Sequence, residues 1–205
     1  MLKIENLKVH GLPPLSFEVP DGECLAVEGP SGSGKTLLLR AIADLDPADG
    51  HIYLDGVERA TIPAPLWRHR VRYLAAEAAW WAPTPAAHFP DGAASQALLA
   101  SLDLDPACLG RSIGQLSTGE RQRLALLRAL IDAPDVLLLD EPTSALDSVR
   151  CTLVETLIEA QLSQGVSILL VSHEATQVER LAHARLQLAP FRAGNDLIPV
   201  LATAP

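Results

Sequence analysis

The chain has 205 residues, 48% of them apolar, and a formal net charge of −9 from 16 basic and 25 acidic side chains. That length and apolar content support one domain with a proper core and exclude a disordered chain. The acidic balance argues against a nucleic-acid partner, and three scattered cysteines (Cys24, Cys108, Cys151) form no CxxC pair, so zinc or redox work is not expected and a reduced cytosolic setting is.

Residues 1–6 lack the apolar core of a signal peptide. No stretch approaches about 18 uninterrupted apolar residues, so no transmembrane helix is expected and any membrane role would come through a partner. Residues 2–9 and 15–19 read as strands, with a turn at 20–22. Residues 24–28 read as a short buried strand that enters the run Gly29, Pro30, Ser31, Gly32, Ser33, Gly34, Lys35, Thr36. This run fits G-x-x-x-x-G-K-[ST], a phosphate-binding loop. The glycines let backbone N–H groups curl around an anion, and the helix expected over 36–42 adds its positive N-terminal end. Lys35 would reach the β- and γ-phosphates, and the Thr36 hydroxyl would ligate Mg²⁺.

Residues 46–50 read as a turn, 51–54 as a strand, and Asp55-Gly56 as a hairpin tip. A strand is expected over 71–74. Residues 75–90 hold Trp80, Trp81 and Phe89 with Pro83, Pro85 and Pro90, a proline density that precludes a long helix. A short helix is expected over 93–102 and a helical turn over 106–109. Ser117-Thr-Gly-Glu120 is a capping box, opening a helix that runs to about Ile131. Residues 136–140 and 166–171 are apolar on both faces, as strands of a covered parallel sheet are. Helices over 149–162 and 174–181 alternate with them, which makes the core α/β. The last fifteen residues carry little pattern.

Asp140 and Glu141 directly follow one of these apolar strands. At the carboxyl edge of a parallel sheet they would lie beside the phosphate loop. Asp140 is suited to holding Mg²⁺ through water, and Glu141 to deprotonating a water aimed at the γ-phosphate.

With these residues in order, the chain resembles the ATP-binding-cassette ATPases. The phosphate loop 29–36 is followed by Leu116-Ser-Thr-Gly-Glu120, similar to that family's LSGGQ signature, then by 136–141, by Ser144-Ala-Leu-Asp147, similar to its D-loop, and by Ser172-His173, similar to its switch histidine. The resemblance covers nearly the whole length. It implies a single cassette over 1–205: a P-loop NTPase core with a parallel sheet, a small N-terminal antiparallel subdomain, and a short helical subdomain at about 77–130.

The resemblance also implies ATP and Mg²⁺ as ligands and a head-to-tail dimer enclosing two ATPs. Ser117 and Gly119 would then meet the γ-phosphate held by the other subunit, His173 would sense that phosphate, and Asp147 would pair across the dimer interface. A separate membrane permease would be the second partner, holding the chain at the cytoplasmic face of the membrane. This plan looks closest to the compact cassettes proposed for metal-ion export. The alternative is a soluble ABC ATPase without a permease.

Three positions depart from the family's pattern. Ala76 stands where the family usually has a glutamine; either Glu77 next to it is a substitute Mg²⁺ ligand or that contact is missing. Thr118 and Glu120 replace a glycine and the glutamine of the signature. No aromatic residue precedes Phe17 to stack on adenine, leaving His10 or Leu12 nearest. The short helical subdomain, flanked by Trp80, Trp81 and Phe89, is where the family docks its membrane partner.

Overall fold

The computed structural model describes residues 1–90, 96–189 and 201–203. Strands β1 (Leu2–Lys8), β2 (Leu15–Val19) and β3 (Cys24–Glu28) lead into helix α1 (Lys35–Ile42). β4 (Asp49–Leu54) and β5 (Val57–Glu58) make a hairpin whose tip has Asp55 and Gly56 at positive φ. Helix α2 (Ala64–Arg70) feeds β6 (Val71–Leu74), and α3 (Gln96–Ser101) and α4 (Thr118–Leu130) follow. Next come β7 (Val136–Asp140), α5 (Ser148–Ser163), β8 (Ser167–Val171), α6 (Ala175–Leu181), β9 (Ala184–Gln187) and β10 (Leu201–Thr203).

The strands form two sheets. One is antiparallel, in the order β2-β1-β4-β5. The other has the order β10-β9-β3-β8-β7-β6, with every pairing parallel except that of β10 with β9. The apolar runs sit where a covered sheet requires them. In β7, Leu138 faces one core while Leu137 and Leu139 face the other; in β8, Leu169 and Val171 oppose Ile168 and Leu170. The first core joins this sheet to α1 and the antiparallel sheet, and the second joins it to α3, α4 and α5. Each leucine fully removed from water contributes about 1.5–3 kcal/mol.

β6 and β7 are neighbours in the sheet, so residues 75–135 leave the sheet edge and return to it. Arg123 of α4, only 4% exposed, anchors this excursion by donating to the carbonyls of Leu102 (2.9 Å), Asp103 (3.3 Å) and Gly119 (3.2 Å). As expected, 75–90 holds no long helix, only a 3-10 turn at Pro85–His88. The short helix expected over 93–102 is described from Gln96, since 93–95 lie outside the described residues.

Three elements were not expected. α2 begins among Pro63 and Pro65, which look like helix breakers but are tolerated in a first turn, where N–H groups have no partner anyway. β9 and β10 are short, and β10 falls in the last fifteen residues; pairing with neighbours defines both.

α2 also closes α1. Trp67 is fully buried, and its indole N–H donates to the carbonyl of Ile42 at 2.9 Å, one of the C-terminal carbonyls a helix leaves without an internal partner. Trp67→Phe keeps most of the apolar volume but orphans that carbonyl. The expected loss is about 1–3 kcal/mol of unfolding free energy, read as a lower urea midpoint at unchanged m-value; an unchanged midpoint would show that the bond contributes nothing.

Candidate functional site

The ends of β3, β7 and β8 share one edge of the parallel sheet, because parallel strands all finish on the same side. The loop after β3 is shaped by its glycines. A Cβ on Gly29 (φ +151°) would lie 2.6 Å from the Leu188 carbonyl oxygen, and one on Gly34 (φ +93°) 2.9 Å from Leu12 Cδ2. Leu12 therefore lies against the loop, whereas His10 is exposed. Gly34 is also the N-cap of α1 and offers no side-chain cap, so the first N–H groups of the eight-residue helix are left for an anion.

Lys35 is only 8% exposed and donates to the carbonyls of Gly29 (2.8 Å) and Pro30 (3.1 Å). The Ser33 hydroxyl is buried and has no hydrogen-bond partner. A buried cation, an orphaned hydroxyl and open helical N–H groups around one loop suit a polyphosphate.

A cavity of about 330 Å³ opens at this edge, lined by loop residues 31–36 together with Ala76, Asp140, Glu141 and His173. Thr36 Oγ1 donates to Asp140 Oδ2 at 2.7 Å, and the Tyr73 hydroxyl donates to the same oxygen at 3.0 Å. Burial and the adjacent Asp140 carboxylate push the Tyr73 phenol pKa well up, so Tyr73 stays a donor. Hydroxyl and carboxylate oxygens are the ligands Mg²⁺ takes. No group of three or more His, Cys, Asp or Glu side chains suited to a metal occurs among the described residues.

Glu141 has φ +54°, a left-handed conformation that costs a non-glycine residue on the order of 1–3 kcal/mol. Its N–H donates to the Val171 carbonyl at 2.9 Å, tying it to the end of β8. His173 Nε2 lies 3.0 Å from Glu141 Oε1. Burial raises the Glu141 pKa above the usual glutamate value, assisted by Asp140 and opposed by His173 and Lys35. A carboxylate so raised is a better proton acceptor.

The other candidate residues lie elsewhere. Ser117 is the N-cap of α4; its hydroxyl accepts from Glu120 N–H (3.2 Å), and Glu120 Oε2 accepts from Ser117 N–H (2.8 Å), completing the expected capping box. Glu120, which replaces the family's glutamine, also pairs with Arg111. The Ser117 N–H bond, with Arg111, lowers the Glu120 pKa to about 2. Gly119 has its own local reason: a Cβ there would meet Leu146 Cδ2 at 3.1 Å and the Ala145 carbonyl at 3.3 Å. Asp147 caps α5, accepting from Arg150 N–H at 3.0 Å. Ser117, Gly119 and Asp147 lie outside the cavity that Lys35 and Glu141 line.

Glu77 is not brought to the phosphate loop. The chain bends at 76–77, so that Ala76 lines the phosphate cavity and Glu77 lines a separate groove of about 730 Å³. That groove runs between the end of β6 and α4. Trp80 and Phe89 pack partly on the second core, while Trp81 is 75% exposed. The Arg128 guanidinium lies 4.6 Å from the Trp80 ring centre and 4.9 Å from that of Trp81, and His88 meets both rings edge-on.

Tyr73 and Gln122 escaped sequence reading. Tyr73 is a strand aromatic like any other until β6 pairs with β7. Gln122 sits on the inward side of α4, 6% exposed, and the available signal was a polar residue beside the helix's apolar stripe.

Residues 12–144 match the protein-family model described as "ABC transporter". "Protein STAR1" of Oryza sativa subsp. japonica is 39% identical over 180 residues, covering 82% of this chain and 52% of that protein. "ABC transporter I family member 17" of Arabidopsis thaliana is 32% identical over 180 residues, covering 82% and 68%. The chain thus spans about half the length of the rice protein and two thirds of that from Arabidopsis. Among solved structures, the dimeric post-hydrolysis state of the ATP-binding cassette MJ0796 bound to ADP and Pi superposes with a TM-score of 0.79 over 97% of this chain and 100% of that one. At 23% identity that likeness speaks for the fold.

The Glu120 carboxylate carries a testable pH dependence. Its folded pKa is depressed, so its contribution is present above the unfolded value of 4.5 and is lost as pH falls toward about 2. Glu120→Gln can still cap but cannot ionise. Its melting temperature should fall less steeply than wild type between pH 5 and 3; parallel curves would show that the ion pair and cap do not respond to charge.

Proposed function

The chain belongs to the ABC transporter family and carries that family's ATPase cassette, and from this premise we propose that it is the ATP-hydrolysing subunit of a transporter that powers a separate membrane permease. The observation that carries the mechanism is the joining of Lys35, Thr36, Asp140, Glu141 and His173 in one cavity. Lys35 and the loop N–H groups neutralise the β- and γ-phosphates. Thr36 and, through water, Asp140 would hold Mg²⁺, which would supply positive charge to offset that of the phosphates. Glu141 takes the proton of the attacking water. His173, with Nε2 3.0 Å from Glu141 Oε1, keeps the carboxylate aimed and would sense the γ-phosphate.

The site is completed by a second copy, arranged head to tail. Ser117 and Gly119 begin α4, whose positive end faces the partner's γ-phosphate, and Asp147 lies at the contact. The solved cassette bound to ADP and Pi, itself a dimer, supports the pairing of two copies. Ala76 in place of a glutamine leaves water alignment to Glu141 and His173.

No described helix is long and apolar enough to cross a membrane. Coupling falls to the groove beside Trp81 and Arg128, which offers an exposed aromatic anchor to a permease helix and would hold the chain at the cytoplasmic face. Resemblance to compact cassettes proposed for metal-ion export makes a metal ion the first cargo to test.

Two measurements check this reading. Affinity purification of the tagged chain from detergent-solubilised native membranes should recover a polytopic membrane protein in comparable amount; soluble partners alone would move the reading to an ABC ATPase without a permease. Glu141→Gln should block hydrolysis and accumulate an ATP-bound dimer on size-exclusion chromatography, and a monomer at saturating ATP-Mg²⁺ would count against the paired site.

A further inference from the structure

The segment from Glu141 to Ala145 leaves the sheet edge in an irregular path, and one side chain grips it from α4. Gln122 is 6% exposed and lies on the second turn of that helix. Its Nε2 donates to the Glu141 carbonyl at 2.7 Å and reaches Ser144 Oγ at 3.4 Å. Its Oε1 accepts from the Ala145 N–H at 3.2 Å. One amide thus binds both ends of the segment, using donor and acceptor together.

The bond to Glu141 falls on a residue that needs holding. At φ +54° the Glu141 backbone is in a conformation that L-residues other than asparagine and aspartate rarely keep unless their surroundings over-determine it. The N–H on one side of that φ is fixed by Val171, and the carbonyl on the other side is fixed by Gln122, with Ser144 N–H (3.3 Å) and Oγ (3.2 Å) adding weaker bonds. Rotation out of the left-handed region would break this set and swing the carboxylate, which lines the phosphate cavity and meets His173 at 3.0 Å. The reach of Gln122 depends in turn on Gly119, where a Cβ would meet Leu146 and the Ala145 carbonyl as α4 packs close to the segment.

We infer that Gln122 is a positioning residue for hydrolysis: its amide holds Glu141 in the left-handed backbone conformation that aims the carboxylate at the phosphate loop. This rests on the reading of Glu141 as the group that takes the proton from water. The hydrogen bonds of Gln122 go to Glu141, Ser144 and Ala145, none of which is in the phosphate loop, so its loss acts on the chemical step rather than on ATP binding.

The test is steady-state ATPase kinetics on the purified full chain, together with any membrane subunit that accompanies it. Gln122→Met keeps the volume and removes the bonds to Glu141, Ser144 and Ala145. Gln122→Glu keeps the acceptor for Ala145 and replaces the donor with an oxygen facing the Glu141 carbonyl. Glu141→Gln runs in parallel, and circular-dichroism melts identify the variants that are folded. Each folded Gln122 variant is expected to lower kcat by about tenfold or more, about 1.4 kcal/mol in the barrier, with KM for ATP within about twofold of wild type.

An unchanged kcat in the folded Gln122 variants while Glu141→Gln is inactive overturns the inference and leaves the base assignment standing. A loss spread equally over kcat and KM also overturns it, since that is general loosening of the nucleotide site. Wild-type hydrolysis by Glu141→Gln overturns the base assignment and this inference together. If Gln122→Met does not fold, Gln122→Glu decides alone, being nearly isosteric with the native side chain.

Discussion

Strands β3, β7 and β8 are hydrogen-bonded side by side and buried on both faces, which leaves the carboxyl edge of their sheet as the place where polar groups can collect. A side chain inside this sheet must be apolar or hydrogen-bonded, as buried Ser167 is to the Pro20 carbonyl at 3.0 Å, because a charge there would lose its water without gaining a partner. Where the strands end, the constraint lifts. The phosphate loop follows β3, Asp140 and Glu141 close β7, and His173 follows β8. The candidate site exists because parallel pairing brings these three chain ends to one side.

The edge concentrates groups that would be costly apart. Lys35 is nearly buried yet satisfied by two loop carbonyls, and Asp140 accepts from both Thr36 and Tyr73. Glu141 has a strained backbone and a raised pKa, opposed by His173 and Lys35. Strain and desolvation converge on this one residue. Buried apolar strands on both sides supply the rigidity that keeps it there.

Two surfaces point outward from this centre. The start of α4 presents a capped helix N-terminus away from the chain's own phosphate cavity. The groove beside α4 presents Trp81 over Arg128, with Trp80 and Phe89 anchoring it to the second core. Gln122 joins the helix that carries both surfaces to the backbone of Glu141.

Much of this was legible in the amino-acid order. The loop 29–36, the acids ending an apolar strand, the capping box at Ser117 and the α/β alternation are local patterns, each set by residues within one turn or strand, and they appear where the sequence places them. Other features are contacts between distant segments. Tyr73 becomes a partner of Asp140 only when β6 lies beside β7, and Trp67 caps α1 only because α2 folds against it. β9 and β10 are strands because neighbours pair with them. A one-residue difference in path sends Ala76 to the phosphate cavity and Glu77 to the groove, which spacing alone could not separate. The sequence by itself determined the chemistry available to this protein, because motif spacing and apolar patterning are short-range. Tertiary structure alone decided which groups share a cavity and which amide holds Glu141, because hydrogen bonds between segments far apart in the chain are set by packing.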